Sequence, residues 1–250
     1  MTNDEARRAT LAANLAAVNE RIASACRDAG RDPGEVRLVV VTKTYPASDV
    51  LHLVDLGVTD VGENRDQEAA PKAAQVAAAL ASAGAAPPRW HFVGRLQRNK
   101  CRSVVRYADL VHSVDSVRLA HALDRAVLNR SGDGGPGRLD VLVQVSLDGD
   151  PARGGAVATA GGDEDVALDP VLATVAAATG LRLRGLMTVA PLDWEPERAF
   201  AMLADIHARV RETYPEATIL SAGMSGDLEA AIRYGATHVR VGSAILGPRS

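Results

Sequence analysis

A chain of 250 residues, 47% of them hydrophobic, is long enough to bury a sizeable core in one large α/β domain or two small ones. A net charge of −3 gives no reason to expect nucleic acid or an anionic membrane as partner, and no apolar run reaches the ~18 residues of a membrane span. The opening MTNDEARRAT has no apolar leader segment, and Cys26 and Cys101 form no C-x-x-C, so a cytoplasmic protein without a disulfide framework is expected.

Leu11, Leu15, Val18, Ile22 and Cys26 recur at spacings of three and four, which predicts a long amphipathic helix. Gly30 stops it, with Pro33 just beyond. In VRLVVVTKTYPASDV, residues 36–50, Val39, Val40 and Val41 read as a strand buried on both faces, with Lys43 at its C-terminal end. SDVLHLVDLG follows as a short helix with Ser48 as N-cap and Gly57 as its left-handed stop.

A regular alternation then begins. TDVGEN is a strand, and DQEAAPKAAQVAAALASAG a helix kinked or begun near Pro71. RWHFVGRL is the next strand, with QRNKCRSVVRYA as its helix. DLVHSVD and SVRLAHALDRAVLNR make a further pair, and the loop SGDGGPGR leads into the strand LDVLVQVSL. Residues 148–169 are rich in Gly, Ala and Asp without periodicity and read as a mobile loop. PVLATVAAATG, LRLRGLMTVA and a helix burying Phe200, Leu203, Ile206 and Val210 come next. ATILSAG, DLEAAIRYG and the last strand HVRVGSAIL complete the pattern. Eight strands with helices in each interval predict an α/β fold, a (β/α)8 TIM-type barrel with an extra N-terminal helix, spanning residues 1–250 as a single domain. An open doubly wound sheet is the alternative, but G-x-G-x-x-G is missing after the first strand.

Active sites of such barrels lie at the C-terminal strand ends. Lysine supplies only three of the 28 basic residues, Lys43, Lys72 and Lys100. Where positive charge alone suffices this composition uses arginine, so a retained lysine hints that an amine is wanted. Lys72 and Lys100 sit in polar segments and read as solvated; only Lys43 ends an apolar strand. SAGMSGDLEAA at the seventh strand end opens a helix near Ser225 or Gly226, and RVGSAILG at the eighth adds Gly242 and Ser243. Either loop alone reads as helix capping. Two on adjacent strands favour a phosphate site made from backbone amides. An amine facing a phosphate site points to a carbonyl compound bearing a phosphate, held as a Schiff base. His91 and His112 lie within strands, where packing or hydrogen bonding is the ordinary role. The remaining histidines show no ligand spacing, so no metal is expected.

The stretches VVVTKTYP, GENRDQEA, WHFVGRLQRNK, LVHSVDS, GLMTVAP and LSAGMSGDLEAAIRYGATHVRVGSAILGPR together resemble the pyridoxal phosphate homeostasis protein family, barrels related to the N-terminal domain of alanine racemase. The resemblance covers most of the chain and implies pyridoxal 5′-phosphate (PLP) as cofactor, with Lys43 as its Schiff-base lysine. It places the phosphate on Ser225 and the amides around Met224, Gly242 and Ser243, with Ser221 assisting. Arg240 falls near the pyridine nitrogen, where a cation disfavours ring protonation, and Asn64 near the ring's edge. Three features depart from the family pattern: an insertion around residues 153–165 lies beyond the family's core, Arg65 stands where an aromatic is frequent, and Arg95 stands where a small residue or proline is common. The two arginines are the substitutions among them. Both would alter access to the open face of the cofactor.

The resemblance further implies an intracellular role in vitamin B6 homeostasis, with PLP-dependent apoenzymes as recipients. Related racemases supply a second base, a tyrosine, from a C-terminal β-domain. No such domain is expected here, and none of Tyr45, Tyr107, Tyr214 and Tyr234 reads as that base. The expectation is therefore a monomeric PLP-holding protein rather than an enzyme. A PLP-dependent amino-acid racemase is the alternative, followed by an aldolase acting on a sugar phosphate.

Overall fold

The computed structural model describes residues 2–131, 137–158 and 163–248. The five apolar positions between 11 and 26 all face inward from one long helix, α1 (Asn3–Asp28), opened by a Thr2–Glu5 capping box. The chain then alternates. Strands β1 (Arg37–Val41), β2 (Asp60–Glu63), β3 (Arg89–Phe92) and β4 (Leu110–Val114) are followed by helices α2 (Ala47–Asp55), α3 (Asp66–Ala83), α4 (Cys101–Val104) and α5 (Val117–Ser131). Strand β5 (Leu139–Ser146) leads to a two-residue strand β6 (Ala156–Val157) and helix α6 (Leu168–Ala177). Strand β7 (Leu181–Met187), α7 (Pro196–Thr213), β8 (Ile219–Ser221), α8 (Leu228–Arg233), β9 (His238–Val241) and α9 (Ser243–Leu246) complete it.

Every strand pairing is parallel. The order runs β4-β3-β2-β1-β9-β8-β7-β5, and β4 also pairs with β5, which closes an eight-stranded barrel. The predicted (β/α)8 architecture with its N-terminal helix is therefore present. Strand β6 lies outside the closed ring, pairing with Val145 and Ser146 at the end of β5.

Several local expectations are corrected. The N-cap of α2 is Pro46, not Ser48, because the helix begins at Ala47; Gly57 does take the left-handed conformation, with φ +88°. Helix α3 starts at Asp66 and runs through Pro71, since the ring removes only the bond to the Gln67 carbonyl on the solvent-exposed side. The helix expected from Gln97 contracts to a 3-10 turn, Arg98–Lys100, and the four-residue α4. Helix α8 starts at Leu228, and the last strand ends at Val241 because Gly242 turns the chain into α9. The stretch 148–169 is not one irregular loop. Asp148 and Asp150 cap tight turns, Arg153 donates to the Val189 and Ala190 carbonyls, and β6 joins β5. Residues 159–162 of that expectation lie outside the described residues.

Helix α1 fixes the loops at the C-terminal mouth from outside. Arg21 donates to the Ser225 carbonyl at 3.0 Å and pairs with Glu229, Asn14 donates to the Ile245 carbonyl at 2.9 Å, and Arg7 bridges Asp49 and the Leu246 carbonyl. Cys26 and Cys101 are buried and free. No helix among the described residues is long and apolar enough to cross a membrane.

Burial holds four ring systems, His91, His112, His207 and His238, below the ordinary histidine range, His238 at about 3. These rings stay neutral in the fold and gain protons near pH 6.5 once unfolded. Their contribution is thus complete above that pH and is lost as pH falls toward the folded values. His238 alone forfeits roughly 2 kcal/mol between pH 7 and pH 5. Thermal melts across that range should show a steep loss of stability on the acid side; a flat profile would mean the rings take up protons in the fold as readily as in the unfolded chain.

Candidate functional site

The C-terminal ends of β1, β2, β3 and β9 and the loops after β7 and β8 enclose a cavity of about 380 Å³, within the range of small-ligand sites. Seven of the eight residues singled out from the sequence line it: Lys43, Asn64, Met224, Ser225, Arg240, Gly242 and Ser243. The eighth, Ser221, is fully buried at the end of β8 behind Arg240. Its hydroxyl accepts from Arg240 Nη1 at 2.7 Å and pairs with His112 Nδ1 at 3.0 Å.

Lys43 is half-buried, two residues beyond β1. The next residue, Thr44, has φ +70°, a conformation that costs a β-branched side chain about 1–3 kcal/mol. Its amide is held by Glu68 Oε2 at 3.2 Å. Beneath the turn lies a buried cluster that polar sequence context did not announce. Lys72, expected in solvent, is buried and donates to Glu63 Oε1 at 2.6 Å and to the Thr42 carbonyl at 2.9 Å. It faces inward because it shares a helix face with Ala69, Ala73 and Val76, a spacing that could have revealed it. Thr42 Oγ1 also donates to Glu63 Oε1, at 2.7 Å. The residues immediately before Lys43 and Asn64 are thus tied into one knot.

Asn64 Oδ1 is buried without a hydrogen-bond partner. The backbone of Asn64 presses on Gly94, where a Cβ would fall 2.1 Å from the Asn64 carbonyl oxygen, so only glycine fits in VGRLQ. Arg240 is buried, and burial lowers its pKa to about 10. It donates to Ser221 and, through Nη2, to the Thr188 carbonyl at 2.7 Å; no carboxylate pairs with it among the described residues. Gly242 caps α9 without a side-chain bond, so the first-turn amides of Ser243 and Ala244 have no partner within the helix.

Gly226 of the glycine-rich loop after β8 also lines the cavity, as do Tyr45, Val93, Val189 and Gly247, which no sequence motif marked as site residues. Tyr45 Oη donates to the Gly247 carbonyl at 2.7 Å, bracing the chain after α9. Asn64 and Gly94 also border a larger adjoining cleft of about 1170 Å³, and Arg65 and Arg95, the two arginines that depart from the family pattern, both line it. Both are exposed, so they stand at the open side of the cavity rather than in its floor. No three His, Cys, Asp or Glu side chains among the described residues are grouped as metal ligands.

Residues 13–250 match the family model of the alanine racemase N-terminal domain. The pyridoxal phosphate homeostasis protein of Mycobacterium tuberculosis is 50% identical over 243 residues, covering 94% of this chain and 91% of the relative. The structure of PipY from Synechococcus elongatus with PLP bound superposes with a TM-score of 0.75 at 31% identity, over 95% of this chain and 100% of that one. Alanine racemase from Corynebacterium glutamicum shares the fold, with a TM-score of 0.65 at 15% identity, over 95% of this chain and 60% of that one. With half its residues shared along nearly the full length of both proteins, the chain belongs to the pyridoxal phosphate homeostasis protein family.

Proposed function

We propose that the protein binds pyridoxal 5′-phosphate covalently through Lys43 and acts in its homeostasis, without strong catalytic activity of its own. The observation that carries this reading is the meeting in one cavity of Lys43, an unpartnered Asn64 amide oxygen and a buried Arg240 whose hydrogen bonds go to Ser221 and the Thr188 carbonyl rather than to a carboxylate. The cofactor supplies an aldehyde that condenses with a lysine amine and a phosphate that carries its negative charge.

The residues present fit such a group. Ser225 and the first-turn amides at Ser243 and Ala244, beside Gly242, would hold the phosphate by hydrogen bonds, while the Met224 amide, engaged by Asp227 Oδ1 at 2.6 Å, would only border it. Arg240 would present a cation to the pyridine nitrogen. A cation there would disfavour protonation of that nitrogen, so the ring would withdraw electrons only weakly. Asn64 Oδ1 would accept a hydrogen bond at the ring edge. Ser221 would act through Arg240, to which its hydroxyl is committed. Tyr45 lines the cavity, but its hydroxyl proton is engaged by the Gly247 carbonyl, which disfavours it as a second base.

We extend the proposal to a monomer of one barrel unit in the cytoplasm that passes its cofactor to PLP-dependent apoenzymes. The purified protein should be yellow and should bleach with borohydride without added substrate, whereas a lysine aldolase would be colourless. Incubated with L-alanine in deuterated water, it should exchange the Cα proton no faster than free cofactor does. Exchange at enzymatic rates would replace the carrier reading with a racemase.

A further inference from the structure

Five side chains from five different strands form an unbroken hydrogen-bonded row through the barrel. Asp60 Oδ1 lies 2.8 Å from His91 Nε2, His91 Nδ1 lies 2.9 Å from His112 Nε2, and His112 Nδ1 lies 3.0 Å from Ser221 Oγ. Arg240 Nη1 completes it, 2.7 Å from Ser221 Oγ. β4 and β8 are not neighbours, so the His112–Ser221 bond crosses the interior. Asp60 opens β2, at the end of the barrel opposite the cavity, while Arg240 lines the cavity wall.

The row has only one consistent polarity. A carboxylate only accepts, so His91 donates from Nε2. A neutral ring has a single N–H, so His91 Nδ1 accepts from His112 Nε2. His112 Nδ1 must then accept from the Ser221 hydroxyl, whose oxygen accepts from Arg240. Burial keeps both rings below the usual histidine range, on His91 against the raising pull of Asp60; Arg89 opposes a proton on either ring, and His91, Arg240 and His238 oppose one on His112. Burial opposes ionisation of Asp60, yet hydrogen bonds from His91 and Thr59 and the charge of Arg37 bring its carboxyl well below the carboxylate range.

We propose that Asp60 sets the direction of this whole row and thereby holds Arg240 as a fixed donor at the cavity wall. Asp60, His91, His112 and Ser221 are positioning residues for the cofactor-facing guanidinium. The functional part of this inference rests on the reading of Arg240 given above.

Asp60→Asn tests the direction. Asp60 Oδ2 accepts from Thr59 Oγ1 at 2.7 Å and from Arg37 Nη1 at 3.1 Å. The amide oxygen of the variant must take that side, which turns its NH2 toward His91 Nε2. His91 then becomes an acceptor at Nε2, and the reversal passes to His112, which does not touch position 60. Long-range 1H–15N correlation spectra of the full chain should show both rings neutral and protonated on Nε2 in the wild type. In Asp60→Asn, His112 should shift to the Nδ1–H form and the Arg240 Nη proton resonances should move. A merely local role for Asp60 leaves His112 unchanged, and that result overturns the proposal. Should the variant not fold, the wild-type spectrum still decides, because an Nδ1–H or doubly protonated ring contradicts the row. Covalent loading at Lys43 is read separately by absorbance, so failure of this inference is distinguishable from failure of the functional reading.

Discussion

Lys43→Ala should abolish the visible absorbance of the loaded protein while leaving it folded and still able to bind pyridoxal 5′-phosphate. The two halves of the result have separate causes. The absorbance requires an amine at the end of β1, and neither other lysine can replace it: Lys72 is engaged beneath the turn by Glu63 and Thr42, and Lys100 lines the adjoining cleft rather than this cavity. Residual binding should come from Ser225, the amides at Ser243 and Ala244 and Arg240, which the variant retains. Affinity should fall roughly a hundredfold, on the order of 3 kcal/mol. Equilibrium dialysis with both proteins measures the loss. Folding is spared because position 43 lies beyond the strand and contributes no core packing.

The largest loss of stability is expected from Lys72→Met. The substitution removes a cation from a buried pair and leaves Glu63 fully buried, with Oε2 already lacking a partner. Breaking such a pair from one side costs about 3–5 kcal/mol. Burial already pushes the Glu63 carboxyl up, opposed by Lys72 and Thr42, so without Lys72 it takes a proton at a higher pH still. Denaturant unfolding near neutral pH should therefore show a large drop in Lys72→Met and partial recovery in the double variant with Glu63→Gln, which no longer buries a charge. A drop below 1 kcal/mol in the single variant would mean the pair is solvated. Cofactor affinity should fall as well, because the Thr42 carbonyl next to Lys43 loses its donor.

What could be read in advance follows from which patterns are unambiguous. The alternation of apolar strands and amphipathic helices carries the barrel, because parallel strands covered by helices have few other arrangements. Lys43 was visible as an amine at the end of a Val-Val-Val strand, and the two glycine-rich loops were visible as adjacent strand ends. The buried row was not. His91 and His112 sit in strands buried on both faces, where period-two alternation cannot say which side chains point inward. Lys72 was misread because AAPKAAQ looks polar residue by residue, although its helix face is apolar. Strand β6 escaped because two residues carry no period.

The proposed function requires covalent attachment at the Lys43 amine. Borohydride reduction of the loaded protein, followed by peptide mapping by mass spectrometry, tests this most directly. The mass of a phosphopyridoxyl group should appear on the peptide containing Lys43 and nowhere else. An adduct on Lys72 or Lys100, or none at all in a protein that binds the cofactor, would contradict it.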